Sequence, residues 1–146
     1  MSQYFKLFVF SITLLLNEEV KAQNHVKWET RFDAKTSEIV ITALIDKGWY
    51  LYSIHNAEEL GPVPTHINFK KKKGLKVKGN LTEQASIVAF DPNFGTNLGY
   101  HENKVEFRQK VKIRKLTSID IQVFYMVCND SQCLPPLEIV LPLKLK

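Results

Sequence analysis

Apolar and polar residues alternate along most of the chain beyond residue 25, and this period of two constrains the fold more than any other feature. The longest example is Ser118–Val127 (SIDIQVFYMV), and Ser37–Ile45 and Lys104–Ile113 repeat the pattern. Successive side chains of a β-strand point to opposite faces, so the pattern indicates strands with one face against a core. We therefore expect sheets that are packed on one side.

Shorter runs of the same kind fill the gaps between these three segments. They are Val26–Phe32, Trp49–Ile54, Thr65–Lys70, Leu75–Gly79, Glu83–Phe90 and Leu137–Leu145. Turn-forming residues separate the runs, as in Asp46–Gly48 and Asp91–Gly95. The only helix-like segment is His55–Leu60, which is one or two turns long at most. The sequence thus predicts an all-β protein with a β-sandwich architecture.

Two stretches lack the alternation and are predicted to be irregular loops: Ile54–Thr65 and Phe90–Asn103. Loops carry function more often than strands do. The second loop contains Phe94 among Gly, Asn and Pro residues, so this ring either packs at the edge of the sandwich or covers another group.

The first 22 residues resemble an export signal. Lys6 precedes the apolar run Leu7–Leu16, and Val20–Ala22 presents small or aliphatic residues where a signal peptidase reads them. We predict a signal peptide over residues 1–22 and one mature domain over residues 23–146, which is about the usual length of a domain, ~100–150 residues. Export through this signal predicts a periplasmic protein.

An uncleaved anchor and a buried N-terminal strand are the alternatives for this segment. The apolar run is shorter than the ~20 residues that a membrane span needs, and Asn17–Glu19 ends it. No membrane span is therefore expected after cleavage. No cysteine follows the run at the cut, so a lipid anchor is not expected either.

The formal net charge of +5 does not indicate a nucleic-acid partner. Basic residues are interleaved with acidic ones except at Lys70–Lys73, and a lysine run followed by Gly74 is typical of a solvated hairpin tip. No nucleic-acid-binding motif is present.

Cys128 and Cys133 are the only cysteines, and export would place them where a disulfide forms readily. The bond would close the short turn Asn129–Gln132, which is worth roughly 2 kcal/mol in the chain-entropy model. The polar turn and the two prolines that follow it favour an exposed, reducible bond. Structural disulfides across hairpins are also common in exported β-domains, so a structural and a redox-active bond both remain open at this point.

No metal or other cofactor is expected. A zinc site needs a second cysteine pair, and His25, His55, His66 and His101 are dispersed along the chain. A Cu(I) chaperone that uses Met126 with the two cysteines is a minor alternative. The sequence contains no G-x-S-x-G motif, and a disulfide-bonded cysteine is not a free nucleophile, so hydrolytic catalysis is not expected.

The run Tyr125–Pro136 (YMVCNDSQCLPP), preceded by Gly48–Ser53 (GWYLYS) and Asp91–Gly95 (DPNFG), resembles the N-terminal periplasmic domain of the DsbD family of protein-disulfide reductases. The resemblance extends over about residues 25–146. It implies an immunoglobulin-like fold with one reversible disulfide. In that family the domain accepts electrons from a thioredoxin-like domain and passes them to periplasmic thiol proteins, such as disulfide isomerases and cytochrome c maturation factors.

The resemblance also implies roles for individual residues. Cys133 would form the mixed disulfides and Cys128 would resolve them. Phe94 would belong to a cap loop that shields the cysteines, with Asp91 beside it. Tyr50 and Tyr52 would lie near the active site.

Two departures from the family bear on function. The spacing is C-x4-C, whereas the best-known members have C-x5-C, and neither a membrane domain nor a thioredoxin-like domain is present in the sequence. We therefore expect electrons to come from separate chains, a thioredoxin-fold protein and a membrane thiol reductase. The alternative is an immunoglobulin-like binding module with a permanent disulfide, which would bind a protein through the aromatic residues of Trp49–Tyr52.

Overall fold

The computed structural model describes residues 24–146 and contains eleven β-strands arranged in three antiparallel sheets. The strands are β1 (Val26–Asp33), β2 (Glu38–Ile45), β3 (Tyr50–Tyr52), β4 (His66–Phe69), β5 (Leu75–Glu83), β6 (Ile87–Asp91), β7 (Thr96–His101), β8 (Lys104–Ile113), β9 (Ser118–Tyr125), β10 (Val127–Cys128) and β11 (Leu137–Lys144). Sheet A has the order β1-β2-β8-β5, sheet B the order β10-β3-β7-β6, and sheet C the order β11-β9-β4. The predicted all-β fold is confirmed.

Sheets A and C pack against each other and supply most of the hydrophobic core. In β9 the buried residues are every second one, including Ile121 and Val123, as the sequence pattern predicts. They meet buried residues of β2 and β8 such as Ile41 and Phe107. Burying one such side chain stabilises the fold by about 1.5–3 kcal/mol, so this alternation is the main reason why the two sheets stay together.

Sheet B contributes to the same core and also carries a second, smaller cluster on its other face. Leu51, the middle residue of β3, is fully buried in the main core, whereas Tyr50 and Tyr52 belong to the second cluster. This division follows from the period of two, because adjacent residues of a strand face opposite ways. A strand of only three residues thus joins the core to the cysteine region.

The chain passes from one sheet to another just before the first cysteine. β9 ends at Tyr125 in sheet C, and β10 begins at Val127 and pairs with β3 in sheet B, Cys128 opposite Tyr50. The sequence shows one uninterrupted alternating run here, so the change of sheet was not expected. Its consequence is that Cys128 lies on the same face of sheet B as the two tyrosines.

Two expectations about local structure were wrong. The predicted loop Phe90–Asn103 contains a full strand, β7, which is bonded to β3 on one side and to β6 on the other. Gly and Asn residues disfavour a strand, but pairing on both sides outweighs their low propensity. A Cβ atom on Gly99 would lie 3.0–3.3 Å from Ser86, Ser53 and Asn56, so a glycine in this strand permits close packing.

The second concerns Lys70–Lys73. These lysines are exposed, but they connect β4 of sheet C to β5 of sheet A and do not form a hairpin tip. The helix-like segment expected within His55–Leu60 is a single 3₁₀ turn at Glu58–Leu60, in agreement with the prediction of one or two turns at most.

The part of the chain that the structure describes has no helix with the length and hydropathy needed to cross a membrane. The predicted signal peptide, residues 1–22, lies outside the described residues. The domain boundary at residue 23 stays a prediction.

A buried carboxylate fastens sheet B to sheet A on the side away from the cysteines. Glu83, at the end of β5, accepts hydrogen bonds from the Ser53 hydroxyl and, at 3.1 Å, from the Ile54 N–H. The Glu83 carboxylate also lies beside the His101 ring, with His101 Nε2 3.1 Å from Glu83 Oε2. Burial alone raises the pKa of Glu83, but these partners outweigh burial and hold the pKa below its usual value.

The Glu83→Gln substitution tests the contribution of this carboxylate to stability. Because the folded pKa is lowered, the stabilisation is present above the pKa of an unfolded glutamate, about 4.3, and is lost as the pH falls through the lower folded value. We expect Glu83→Gln to cost about 1.5–3 kcal/mol at pH 7 and much less at pH 3, measured by urea unfolding. Glu29→Gln, at an exposed ion pair with Lys27, should change little at either pH. An equal loss of unfolding free energy for Glu83→Gln at both pH values would contradict a stabilising role of the ionised carboxylate.

Candidate redox site

The two cysteines form a disulfide at the mouth of a tight turn. Cys128 and Cys133 face each other in an antiparallel bridge, with Cα atoms 4.0 Å apart. The Asn129 N–H donates to the Gln132 carbonyl at 2.9 Å, and the Asn129 side-chain oxygen accepts from the Ser131 and Gln132 N–H groups, each at 2.9 Å. Asn in the first position of a turn commonly bonds its own backbone in this way. The turn thus has its own hydrogen bonds besides the disulfide.

The two sulfur atoms differ in accessibility. Cys128 is 0% exposed and belongs to the cluster of Tyr50, Tyr52 and Leu98, whereas Cys133 packs at the edge of that cluster and is half-buried. The expectation that the polar turn and the prolines would expose the whole bond was therefore wrong for Cys128. The reason is the change of sheet, which directs Cys128 inward. A reagent that enters from solvent meets Cys133.

Tyr52 connects the buried cysteine to a buried carboxylate. Its hydroxyl oxygen lies 2.7 Å from Asp91 Oδ2 and 3.2 Å from Cys128 Sγ. One hydroxyl carries one hydrogen, and an ionised carboxylate is a far better acceptor than a disulfide sulfur. In the oxidised protein Tyr52 therefore donates to Asp91, with the sulfur of Cys128 as a close neighbour.

Both tyrosines of β3 are held protonated. Burial, reinforced by Asp91, raises the pKa of Tyr50 to about 12 and raises the pKa of Tyr52 even further. Each hydroxyl can therefore act as a hydrogen-bond donor throughout the physiological pH range. Tyr50 donates to the Asn129 carbonyl of the cysteine turn at 3.2 Å.

A second turn, Asp91–Gly95, lies over the cluster and places the Phe94 ring on Tyr52. Asp91 Oδ1 accepts the Asn93 N–H at 2.8 Å, and the Gly95 N–H donates to the Asp91 carbonyl at 2.7 Å. The Phe94 and Tyr52 rings meet edge to face with centroids 6.0 Å apart. The sequence left two alternatives for Phe94, which were packing at the edge of the sandwich and covering another group. In the structure the ring packs against the cysteine cluster and is half-buried there.

Asn93 ties this turn to the cysteine turn. Its side-chain NH₂ group donates to the Asn129 carbonyl at 2.9 Å and to the Tyr50 hydroxyl at 3.1 Å. Asn93 itself is exposed. Because water competes for exposed hydrogen bonds, this link is easier to break than the buried bond between Tyr52 and Asp91.

Gly61, in the β3–β4 loop, closes the other side of the Phe94 ring. A Cβ atom on Gly61 would lie 2.7 Å from Phe94 Cδ1, and the glycine has a φ of +108°. Only a residue without a side chain leaves room for the ring at this distance. Phe94 is thus held between Tyr52 and the backbone of this loop.

The charges that act on Tyr100, beside the cysteine cluster, are negative. Burial raises the pKa of Tyr100, and the nearby carboxylates of Glu102, Asp130 and Asp91 raise it further. Negative neighbours disfavour a further anion, so they oppose ionisation of the Tyr100 hydroxyl.

The structure brings all six sequence-predicted site residues into one cluster: Cys128, Cys133, Phe94, Asp91, Tyr50 and Tyr52. Sequence reasoning missed Asn93, Asn129, Gly61 and Tyr100. Asn129 follows a cysteine at the start of a polar turn, and that position could have indicated an Asn side chain bonded to the turn. Nothing in the sequence indicates that Gly61 touches Phe94, because the contact joins two distant loops.

The aromatic residues proposed as a protein-binding surface are mostly inside. Tyr50 and Tyr52 are buried, and Trp49 stacks on His25 at 3.8 Å between ring centroids. They do not form an exposed aromatic face. Within residues 24–146, no three His, Cys, Asp or Glu side chains converge in an arrangement suited to a metal ion.

Comparison with known proteins identifies the family. The family model for the N-terminal domain of the thiol:disulfide interchange protein DsbD matches residues 16–144, which include both cysteines and both turns. The chain belongs to the DsbD N-terminal domain family. No curated protein matches the chain significantly in sequence.

Solved structures of DsbD N-terminal domains have the same fold. The reduced domain from Neisseria meningitidis matches with a TM-score of 0.61 at 12% identity, over 82% of this chain and 85% of that one. The same domain in complex with the PilB N-terminal domain matches with a TM-score of 0.59 at 12% identity, over 86% and 88%. The N-terminal periplasmic domain of ScsB from Proteus mirabilis gives 0.57 at 15% identity, over 82% of this chain and 45% of that one. The predicted immunoglobulin-like sandwich is confirmed.

Membership of this family and the Cys128–Cys133 bond together support thiol-disulfide interchange as the chemistry of the DsbD-type domain. The partners of this exchange are a separate question.

The Gly61→Ala substitution tests whether the β3–β4 loop holds Phe94 over the disulfide. The added methyl group has no room unless the Phe94 ring moves. We therefore expect dithiothreitol to reduce the disulfide several-fold faster than in the wild type, as measured by trapping the free thiols over time. Gly48→Ala is the matched control, because Gly48 also has a positive φ, +84°, but has nothing within 4 Å of the position of a Cβ atom. Equal rates for the two variants would contradict the contact. In a Phe94→Ala background, Gly61→Ala should add nothing.

Proposed function

We propose that this DsbD-type domain is an exported electron carrier of the periplasm. It accepts two electrons from a thioredoxin-fold donor, which a membrane thiol reductase keeps reduced, and passes them to thiol proteins of the disulfide-isomerase or cytochrome c maturation type. The observation that carries the proposal is the asymmetry of the disulfide: Cys128 is fully buried, and half-buried Cys133 is left for a partner.

The reducing half of the cycle begins at Cys133. A thiolate of the donor attacks Cys133 Sγ in line with the disulfide, the bond to Cys128 breaks, and Cys128 leaves as a thiolate that takes up a proton. The second thiol of the donor then attacks the donor sulfur of the mixed disulfide and releases Cys133. The donor ends as a disulfide and the carrier as a dithiol, so two electrons and two protons have moved.

The delivering half reverses these steps. Cys133 attacks a disulfide of the acceptor and forms a mixed disulfide, and Cys128 then attacks Cys133 and releases the reduced acceptor. Because Cys128 is buried directly beside Cys133, it is already in position to attack the mixed disulfide. This supports the assignment of Cys133 as the exchanging sulfur and Cys128 as the resolving one.

Tyr52 is the group that helps Cys128 to leave. When the sulfur of Cys128 becomes a thiolate, it gains the negative charge that attracts a hydrogen-bond donor, and the Tyr52 hydroxyl oxygen already lies 3.2 Å away. Such charge-assisted hydrogen bonds are stronger than neutral ones. Asp91, the other acceptor of that hydroxyl, keeps it positioned until then.

The Neisseria meningitidis relative forms a complex with the PilB N-terminal domain, which supports a protein partner for the DsbD-type domain proposed here.

The reduction potential of the Cys128–Cys133 pair decides between a carrier and a structural disulfide. The purified protein is equilibrated with glutathione buffers and its free thiols are trapped and counted. A carrier should have a potential above about −250 mV, whereas structural disulfides lie below about −300 mV. We also expect Cys128→Ser to accumulate a mixed disulfide with a thioredoxin-fold protein, and Cys133→Ser to form none.

A potential below about −300 mV together with no exchange would overturn the proposal and leave a binding module with a permanent disulfide. Full activity of Cys133→Ser in a reductase-dependent assay would do the same.

The Tyr52→Phe substitution tests the leaving-group assignment. It is made in a Phe94→Ala background, so that loosening of the Asp91–Gly95 turn cannot itself raise the rate. Losing a hydrogen bond to a charged group costs about 1.5–3 kcal/mol, so we expect reduction by dithiothreitol to be about tenfold or more slower than in Phe94→Ala alone. Tyr125→Phe in the same background is the control, because that hydroxyl bonds to Asn24 instead. If both double variants react at the rate of Phe94→Ala, the Tyr52 hydroxyl has no part in the exchange.

A further inference from the structure

Strand β6 is a free edge of the sheet that carries the disulfide. It is the last strand of sheet B, paired with β7 on one side, and no strand among residues 24–146 pairs with its other side. Its outward backbone groups are therefore available to another chain. Beyond its last residue, Asp91, the chain enters the Phe94 turn.

The first four residues of β6, 87–90, have apolar side chains on both faces of the sheet. Residues opposite each other in antiparallel strands share a face, so Ile87, opposite Tyr100, lies on the cysteine face. Val88 and Phe90 lie on the reverse face. The exposed fractions are 46% for Ile87, 70% for Val88 and 65% for Phe90.

The other long edge strands of the molecule are protected in the usual ways. β1 carries Lys27 and Arg31, β5 carries Lys76 and Lys78, and β11 carries Glu138 and Pro142. Charged residues and prolines discourage strand pairing. The β6 residues 87–90 include neither a charge nor a proline. An unprotected edge with apolar side chains above and below it fits an added strand, because a strand presents side chains to both faces at once.

We propose that β6 is a docking strand, to which the thiol protein that exchanges with Cys133 adds an extended segment of its own. This inference rests on the proposed function and names where its partner binds. The chain runs directly from β6 into the cysteine site, and this supports a thiol protein as the occupant of the edge. Asp91, the last residue of β6, accepts the hydrogen bond of the Tyr52 hydroxyl and starts the turn that places Phe94 on Tyr52.

Docking at β6 also gives the partner access to Cys133. A segment paired along β6 lies directly before the Asp91–Gly95 turn, where it competes with the exposed bond between Asn93 and Asn129. Loss of that bond frees the turn from the cysteine turn, and Phe94 can then swing off the disulfide. A small thiol has no segment to pair and depends on spontaneous opening instead.

The first experiment compares a protein reductant with a small one. Reduction of the disulfide is followed with thioredoxin, kept reduced by its reductase and NADPH, and separately with dithiothreitol. The Val88→Lys/Phe90→Lys double variant places two charges on the edge. The control is Val140→Lys, at an exposed valine (47%) on the edge strand β11.

We expect the double variant to react with thioredoxin at least ten times more slowly than the wild type and with dithiothreitol within twofold of it. Val140→Lys should match the wild type with both. An unchanged thioredoxin rate, or an equal loss with both reductants, would overturn the docking strand while leaving the proposed function standing. A wild-type protein that dithiothreitol reduces and thioredoxin does not would overturn both.

A second measurement leaves β6 unaltered and so does not depend on how the variant folds. Cys128→Ser is coupled through Cys133 to a thioredoxin that retains only its attacking cysteine, and amide hydrogen exchange is compared with the uncoupled chain. We expect new protection in residues 87–91. Protection confined to the two turns would overturn the proposal.

A second copy of the chain is the competing occupant. If sedimentation equilibrium shows a dimer of the wild type that the double variant loses, β6 pairs with itself and the assignment to a thiol partner is wrong.

Discussion

The buried hydrogen bond from Tyr52 to Asp91 is the contact on which the rest of the site depends. It joins β3 to the last residue of β6, and the Tyr52 hydroxyl oxygen also lies 3.2 Å from the Cys128 sulfur. Without it, the Asp91–Gly95 turn would keep only its own local bonds and the exposed link through Asn93. A single tyrosine thereby contacts both the carboxylate that begins the Asp91–Gly95 turn and the sulfur of Cys128.

The position of Tyr52 is in turn fixed from the reverse face of the sheet. Leu51 is buried in the main core, and Ser53 bonds to Glu83 beside His101. β3 is thus held by apolar packing and by one buried carboxylate on each face of sheet B, Glu83 on one and Asp91 on the other. A three-residue strand is rarely stable alone. Here its neighbours determine its geometry, and that geometry places the disulfide.

The sequence pattern predicted the strands of the core, because their period of two reflects burial on one face, as in β9. It also predicted that Tyr50, Tyr52, Asp91 and Phe94 would meet the cysteines, through family motifs whose residues contact one another. It did not predict β7, whose Gly and Asn residues form a strand only because β3 and β6 pair with it. The change of sheet before Cys128 and the contact between Gly61 and Phe94 arise from the packing of distant segments, which no local pattern records.

The short turn closed by the disulfide has a consequence for the lifetime of the protein in a cell. Proteases degrade mainly unfolded chains, and their fraction depends on the free energy of unfolding. The bond across Asn129–Gln132 is worth roughly 2 kcal/mol in the chain-entropy model, so its opening should raise the unfolded fraction about 30-fold. The Asn129 side chain still holds the turn through bonds to Ser131 and Gln132. The reduced form should therefore be degraded faster than the oxidised one. The small loop limits this difference, because a bond that closes ~15 residues would be worth about 3 kcal/mol and its loss would raise the unfolded fraction several-fold further.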